Sequence, residues 1–370
     1  MEIHGSSSFP RQDSTEACGE VPEWVTLRET LAAPVRTRHE AVNPASNLGS
    51  WGGPFSRILG GSVPSLPYNP APVISDLPQL LDAKRRRVLA HLRAEEGEVV
   101  VAFSGGVDST LLLALALEAL GPERVLAVTA SSESLPASEL EACRGLAEQL
   151  GARHEVLRTR ELARPGYVAN AGDRCYHCKS ELFESLASEL DAGRFGSKSV
   201  VYGATLDDLG DYRPGLRAAA EAGAIAPLAD AELGKDEIRQ LSAAMALPTW
   251  DKPAHPCLAS RVPHGEVVTA AKLAMIEGAE AALRRCGYRE LRVRHHELQT
   301  PSGVQHLARI VLAGSAATHF SEAETVSREL RALGYAFVTL DLEGLRSGRL
   351  NDALPAAQAP ADLRRLPVTT

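Results

Sequence analysis

The chain has 370 residues, 44% of them hydrophobic and 23% charged, with a formal charge of −8 at pH 7. This is an ordinary globular composition with room for one large domain or two smaller ones. The acidic balance argues against nucleic acid or an anionic membrane as a partner, though it leaves room for a local basic pocket. The polar start, residues 1–15, lacks the apolar run of a secretory signal, and the longest apolar stretch, residues 111–117, is too short to span a bilayer; a cytoplasmic protein is expected.

Residues 1–75 are rich in Pro, Gly and Ser without sustained periodicity and read as a flexible extension with one short helix at 23–31. Order is expected from residues 77–93, where Leu80, Leu81, Val88, Leu89 and Leu92 recur at helical spacing. Strands are then predicted at 99–103, 125–129, 154–157, 199–202 and 224–228, with helices at 110–120, 137–150, 179–190, 214–222 and 235–245 between and after them. That alternation predicts an α/β domain over 76–250 with a parallel sheet covered on both faces. A Pro-rich connector at 248–265 leads to a smaller α+β domain over 251–355: a helix at 270–286, strands at 291–295 and 307–312, a helix at 320–333 and a strand at 336–340. Residues 356–370 read as a tail.

The hexapeptide Ser104-Gly105-Gly106-Val107-Asp108-Ser109 falls between the first strand and its helix. A helix N-terminus there presents unpaired N–H groups and a positive dipole end to an anion. The glycines allow close backbone approach, Ser104, Ser109 and Thr110 add hydroxyl donors, and Asp108 suits Mg2+ beside the phosphates. The plainer reading is a capped βα turn. The spacing is not that of a Walker loop.

Six cysteines, two of them three apart, suggest metal or redox chemistry rather than a disulfide framework. Cys175 and Cys178 are spaced to meet one metal from a single turn just before a helix, and Cys257 in Pro-Cys-Leu-Ala-Ser-Arg can join from the connector. Three thiolates on four irons leave one iron open for a labile sulfur. Zinc with His177 or His255, or three unrelated thiols, are the alternatives. Cys143 and Cys286 fall in helical patterns and read as core. Arg292 and Arg294 share one strand face with His296, a pattern that suits phosphate or carboxylate and is also that of a solvated charged face. Asp207 and Asp208, after Gly203 at the end of a parallel strand, point to the ligand crevice or act as caps.

SGGVDS resembles the loop of PP-loop ATP pyrophosphatases (adenine nucleotide alpha hydrolase-like), which adenylate a substrate oxygen and release pyrophosphate. Together with the CxxC pair, Asp-Asp-Leu-Gly-Asp-Tyr-Arg-Pro-Gly at 207–215, PCLASR, Arg-Val-Arg and the stretch 341–349, all in this order, the chain is similar to the LarE family of ATP-dependent sulfur transferases over about residues 77–355. The resemblance implies that ATP and Mg2+ bind at Ser104, Gly105, Gly106, Val107, Asp108, Ser109, Thr110 and Gly203. The implied substrate is pyridinium-3,5-biscarboxylic acid mononucleotide, held by Arg213, Arg261, Arg292 and Arg294, whose carboxylates become thiocarboxylates for a nickel-pincer cofactor. It also implies a [4Fe-4S] cluster on Cys175, Cys178 and Cys257 in place of a sacrificial Cys257, a sulfide donor, and a homo-oligomer. Gly203-Ala204-Thr205 departs from the family's Gly-Thr-Asn, and the Asn side chain's nucleotide contact is absent with it. The competing classes are a tRNA thiolase, which needs a basic RNA surface, and an adenine-nucleotide sensor without turnover.

Overall fold

Four strands pair, in the computed structural model, into one parallel sheet of order β3-β2-β1-β4, and three more form a second sheet of order β5-β6-β7. The structure describes residues 78–195, 199–209, 214–314 and 320–345. The expectations for the extension, the helix at 23–31, Arg213, residues 346–349 and the tail lie outside them.

The chain enters through α1 (Gln79–Ala94), whose Leu81, Val88, Leu89 and Leu92 are buried at the helical spacing read from the sequence. The first sheet takes β1 (Val99–Ala102), β2 (Val125–Ser131), β3 (Arg153–Arg158) and β4 (Ser199–Tyr202). Between β1 and β2 runs α2 (Val107–Leu120), which is buried along Ser109–Leu117 because it lies against α1, α9 and the sheet at once. Each leucine buried there contributes about 1.5–3 kcal/mol by area removed from water. The helix α3 (Ala137–Gln149) adds Cys143 and Ala147 to the same core, so Cys143 is a packing residue.

After β3 come a 3-10 turn (Glu161–Ala163), the short α4 (Pro165–Val168) and α5 (Arg174–Asp191). Leu182, Phe183 and Leu186 of α5 cover the other sheet face against Val100, Leu126 and Val128. The expected doubly covered parallel sheet is therefore present. Past β4 lie α6 (Leu206–Leu209), α7 (Pro214–Glu221), α8 (Pro227–Asp230) and α9 (Lys235–Ala244).

Two expectations change. The strand predicted at 224–228 shrinks to a single bridge, Val201 to Ile225, because Pro227 starts a helical turn and cannot donate to a ladder. The helix predicted from Lys179 begins at Arg174, so Cys175 and Cys178 lie inside its first turns, three residues apart on one side.

The second sheet follows α10 (Ala270–Arg285). It consists of the antiparallel hairpin β5 (Leu291–Thr300) and β6 (Gly303–Leu312), then β7 (Tyr335–Leu340), which joins β6 in parallel after α11 (Ala323–Ala332). Its core unites Ala279 and Leu283 of α10, Val293, Ile310, Leu330 and Tyr335. A separate cluster, Tyr167, Leu258, Ala259, Val262, Val268, Leu273 and Ile276, has Cys178 and Cys257 packed against it. Among the described residues no helix is long and apolar enough to cross a membrane.

Candidate active site

The turn from β1 into α2 places Ser104 through Ser109 at the strand's C-terminal end. The Ser109 hydroxyl accepts from Ser104 N at 3.2 Å, lies 3.1 Å from Ser104 Oγ and donates to Gly106 O at 3.3 Å, which folds the loop on itself. Gly105 has φ +64, and a Cβ there would meet Cys143 Sγ at 2.8 Å, so both conformation and space require glycine. Gly203, at the end of β4, lies so close that a Cβ would stand 3.0 Å from Ser109 N. Gly203 thus packs against this loop. The Thr110 Oγ1 atom is buried without a partner among the described residues. The acidic pair serves locally: Asp208 Oδ2 accepts from Thr205 N and Oγ1, and Asp207 Oδ2 accepts from Lys235 N at the start of α9.

The residues that sequence reasoning missed stand beside this loop. Lys252 Nζ donates to Gly105 O at 3.0 Å and to Glu139 Oε2 at 2.8 Å, and His255 Nδ1 lies 3.2 Å from Glu139 Oε1. The His255 contact, with help from Lys252 and against burial, holds the Glu139 carboxyl down to about 2. A lone Lys in a connector and a Glu in an amphipathic helix carry no periodic signal; the nearness of Lys252 to the Pro-Cys-Leu-Ala-Ser-Arg stretch was the available hint.

Cys257 follows on the same segment, at the cap of a 3-10 turn, Leu258–Arg261. Arginines from three elements hold that turn by its carbonyls. Arg261 donates to Pro256 O at 2.5 Å and Cys257 O at 3.2 Å, Arg174 to Ala259 O at 2.9 Å, and Arg294 to Ser260 O at 3.4 Å. Glu280, fully buried on α10, accepts from Arg261 Nε at 2.7 Å, Arg284 at 3.0 Å and the Val293 amide of β5 at 3.1 Å. The Arg261 guanidinium, which the resemblance gives to substrate, is here engaged by Glu280 and two carbonyls. Asn170 completes the framework. It is wholly buried at φ +53, its Nδ2 donates to Val262 O, Pro263 O and Glu266 O, and its Oδ1 accepts from Arg174.

The three thiols share this region. Cys175 is exposed, while Cys178 and Cys257 are partly buried. Burial first, then the charges of Cys257, Glu161 and Cys175, push the Cys178 thiol up to about 12. Burial and then the Cys257 charge also raise the Tyr167 phenol, which is hydrogen-bonded to Ser134. Among the described residues no group of three or more His, Cys, Asp or Glu is placed to hold a metal ion. His255 Nδ1 lies against Glu139 and His177 Nε2 against Asp173. A cluster distributes its ligands over several irons and does not need them to converge on one point. Glu161 Oε2, buried without a partner on a side chain that touches Cys178, marks a place where a cation or donor is wanted.

Arg292, Arg294 and His296 alternate on β5, opposite Val311, Arg309 and Leu307 of β6. Arg294 is 2% exposed, and burial and then Arg261 lower the pKa of Arg292. Burial, Arg309 and Arg294 bring His296 down to about 4, which leaves its Nε2 free of a proton to accept from Arg309 Nε at 3.2 Å. Arg309, the other residue missed, also donates to Asp341 Oδ2 at 2.5 Å. The result is an electropositive sheet face beside the Cys257 turn.

Residues 86–168 match the NAD synthase family. An uncharacterized protein, slr1717, of Synechocystis sp. is 43% identical over 272 residues, covering 72% of this chain and 97% of the relative. The pyridinium-3,5-bisthiocarboxylic acid mononucleotide synthase of Lactiplantibacillus plantarum is 38% identical over 279 residues, 75% of this chain and 97% of its own length. The NH(3)-dependent NAD(+) synthetase of Hyperthermus butylicus is 43% identical over only 72 residues, 19% of this chain and 26% of that protein. The synthetase match is short, whereas the synthase is matched nearly end to end. This chain belongs to the LarE family of PP-loop, ATP-dependent sulfur transferases.

Proposed function

We propose that this enzyme adenylates a carboxylate of pyridinium-3,5-biscarboxylic acid mononucleotide at the Ser104–Ser109 loop and converts it to a thiocarboxylate with hydrosulfide, for nickel-pincer cofactor synthesis. The observation that carries the reading is the Cys257 segment. Its Lys252 touches the phosphate loop, and its Arg261 and Ser260 touch Glu280 and Arg294 of the basic face. One segment thus borders both the nucleotide and the anion site.

In this reading the loop amides and hydroxyls hold the ATP phosphates and Asp108 holds Mg2+ against them. Arg292 and Arg294 hold the substrate's phosphate or free carboxylate, with Arg213 as a further anchor. Arg261 acts through the Cys257 turn, because its donors are already occupied. A carboxylate oxygen attacks the α-phosphorus and pyrophosphate leaves. Hydrosulfide then attacks the acyl carbon and AMP leaves with the C–O electron pair, and the thioacid loses its proton to give the thiocarboxylate. A [4Fe-4S] cluster on Cys175, Cys178 and Cys257 would supply that hydrosulfide, sparing Cys257 as a sacrificial sulfur source. Residues 76–250 form the nucleotide part and 251–355 the sulfur-transfer part of a cytoplasmic homo-oligomer.

The test is anaerobic turnover with mass spectrometry of small molecules and protein. The expected products are AMP, pyrophosphate and thiocarboxylated substrate, with Cys257 intact over many turnovers and product formation abolished in Asp108→Ala. ADP and inorganic phosphate as the sole nucleotide products would remove the adenylation step. Dehydroalanine at Cys257, with full activity in Cys175→Ala/Cys178→Ala, would replace the cluster with the sacrificial route.

A further inference from the structure

At the root of the Ser104–Ser109 loop runs a chain of polar groups that no step above uses. Phe103, the last residue before Ser104, is buried, and both its backbone groups are tied to β2. Its N–H donates to Val128 O at 2.8 Å, and its carbonyl accepts from the Thr129 hydroxyl at 2.9 Å. The β1–β2 ladder ends at the pair Ala102 and Val128, so a side chain takes over where regular pairing stops. Thr129 Oγ1 also lies 2.8 Å from His154 Nε2 of β3. The imidazole and the Phe103 ring meet edge to face, their centroids 6.1 Å apart. Thr129 is buried and His154 half-buried.

Hydrogen-bond chemistry fixes the direction of this chain. A carbonyl oxygen only accepts, so the single Thr129 hydroxyl proton lies on Phe103 O. Thr129 then offers His154 nothing but lone pairs, and Nε2 must carry the N–H. With the imidazole proton on Nδ1 alone, the Thr129 proton would turn to Nε2 and leave two oxygens facing each other at 2.9 Å. We infer that His154 is a positioning residue for ATP: its Nε2–H aims the Thr129 hydroxyl at Phe103 O and so fixes the strand end from which the phosphate loop springs. The inference rests on the reading of Ser104–Ser109 as the ATP site and deepens it. The Phe103 carbonyl and the Ser104 N–H belong to one planar peptide unit, so holding the first orients the second. Ser104 N is the amide that donates to Ser109 Oγ at 3.2 Å and folds the loop on itself. His154 and Thr129 therefore act on the loop through its first peptide plane.

The experiment titrates the full chain with the α,β-methylene analogue of ATP and Mg2+, and separately with the pyridinium substrate. We expect Thr129→Val to weaken the analogue about tenfold and His154→Leu about threefold, through loss of one neutral hydrogen bond and of its orientation. The double variant should be no weaker than Thr129→Val alone, since His154 acts only through that hydroxyl. His154→Gln, which brings an amide N–H to the place of Nε2, and Thr129→Ser should recover wild-type affinity. The pyridinium substrate should bind all of these variants as it binds wild type. Wild-type affinity in His154→Leu, additive losses in the double variant, or equal weakening of both ligands overturns the inference. Undiminished affinity in Asp108→Ala overturns the loop as the ATP site, and the inference with it. If Thr129→Val does not fold, the ring-nitrogen resonances of His154 in wild type decide: a proton on Nε2 upholds the inference and a proton on Nδ1 alone overturns it.

Discussion

Lys252 and Glu139 meet at 2.8 Å across 113 residues of sequence, and the same ammonium reaches the Gly105 carbonyl at 3.0 Å. Lys252 thus fastens the segment that leads to Cys257 to the Ser104–Ser109 loop and to α3. Glu139→Gln should weaken ATP about three- to thirtyfold, since a charge-assisted contact is worth about 1.5–3 kcal/mol and part of that is lost to solvent here. Calorimetric titration with ATP checks this; an unchanged affinity would detach Lys252 from the nucleotide site.

The same carboxylate sets a pH dependence. Its folded-state value of about 2 lies below the ordinary 4.5, so its contribution to stability is complete above the ordinary value and fades as pH falls through the window between the two. The unfolding midpoint of wild type should therefore drop more steeply over that window than that of Glu139→Gln. Parallel curves for the two proteins would deny the Glu139 contacts their stabilising role.

Asn170 allows backbone and side chain to be separated. Asn170→Ala loses three carbonyl contacts and keeps an unfavourable positive φ, whereas Asn170→Gly loses the contacts and relieves the backbone. Denaturant unfolding should show Ala destabilised by about 2–4 kcal/mol and Gly by roughly 1 kcal/mol less. A Gly variant as stable as wild type would mean that the amide holds nothing in place.

Arg292 and Arg294 should now behave differently. Arg292→Ala should weaken the pyridinium substrate about ten- to a hundredfold and leave ATP unchanged. Arg294→Ala should add a loss of folding stability, because that side chain is buried and reaches Ser260 O. Substrate and ATP titrations beside thermal unfolding distinguish the two; identical behaviour of both variants contradicts the difference in burial.

Gly203→Ala probes the contact between β4 and the phosphate loop. The new methyl would press on Ser109 N, a cost of about 1–3 kcal/mol taken by the loop that binds ATP. ATP affinity should fall about tenfold or more while far-ultraviolet circular dichroism is retained. Wild-type affinity in this variant would show that the loop has room to spare.

Much of this was legible in the sequence because periodicity and short motifs are local. The apolar run at Val99–Ala102, the hexapeptide after it and the helical spacing of Leu81 through Leu92 each declare themselves within a few residues. Cys175 and Cys178 declared their spacing but not their helix, since a C-x-x-C segment with Tyr176 and His177 between its thiols has weak helix propensity and takes its conformation from packing. Lys252, Glu139, Asn170, Glu280 and Glu161 stayed hidden for another reason. Each is an ordinary polar residue whose meaning comes from partners far along the chain, and no local pattern records a pairing of that range. The strand expected at 224–228 failed at Pro227, whose ring ends a ladder that Ile225 had begun.

The four-stranded sheet leaves neither flank open to another copy of the chain. On one side β3 carries Arg153, Glu155 and Arg158, charges that discourage lateral pairing. On the other, Tyr202 N donates to Ile225 O and Ile225 N to Val200 O, so a single residue occupies the hydrogen-bonding groups that a foreign strand would seek. In the folded molecule both edges are thereby made poor templates for pairing with a foreign strand.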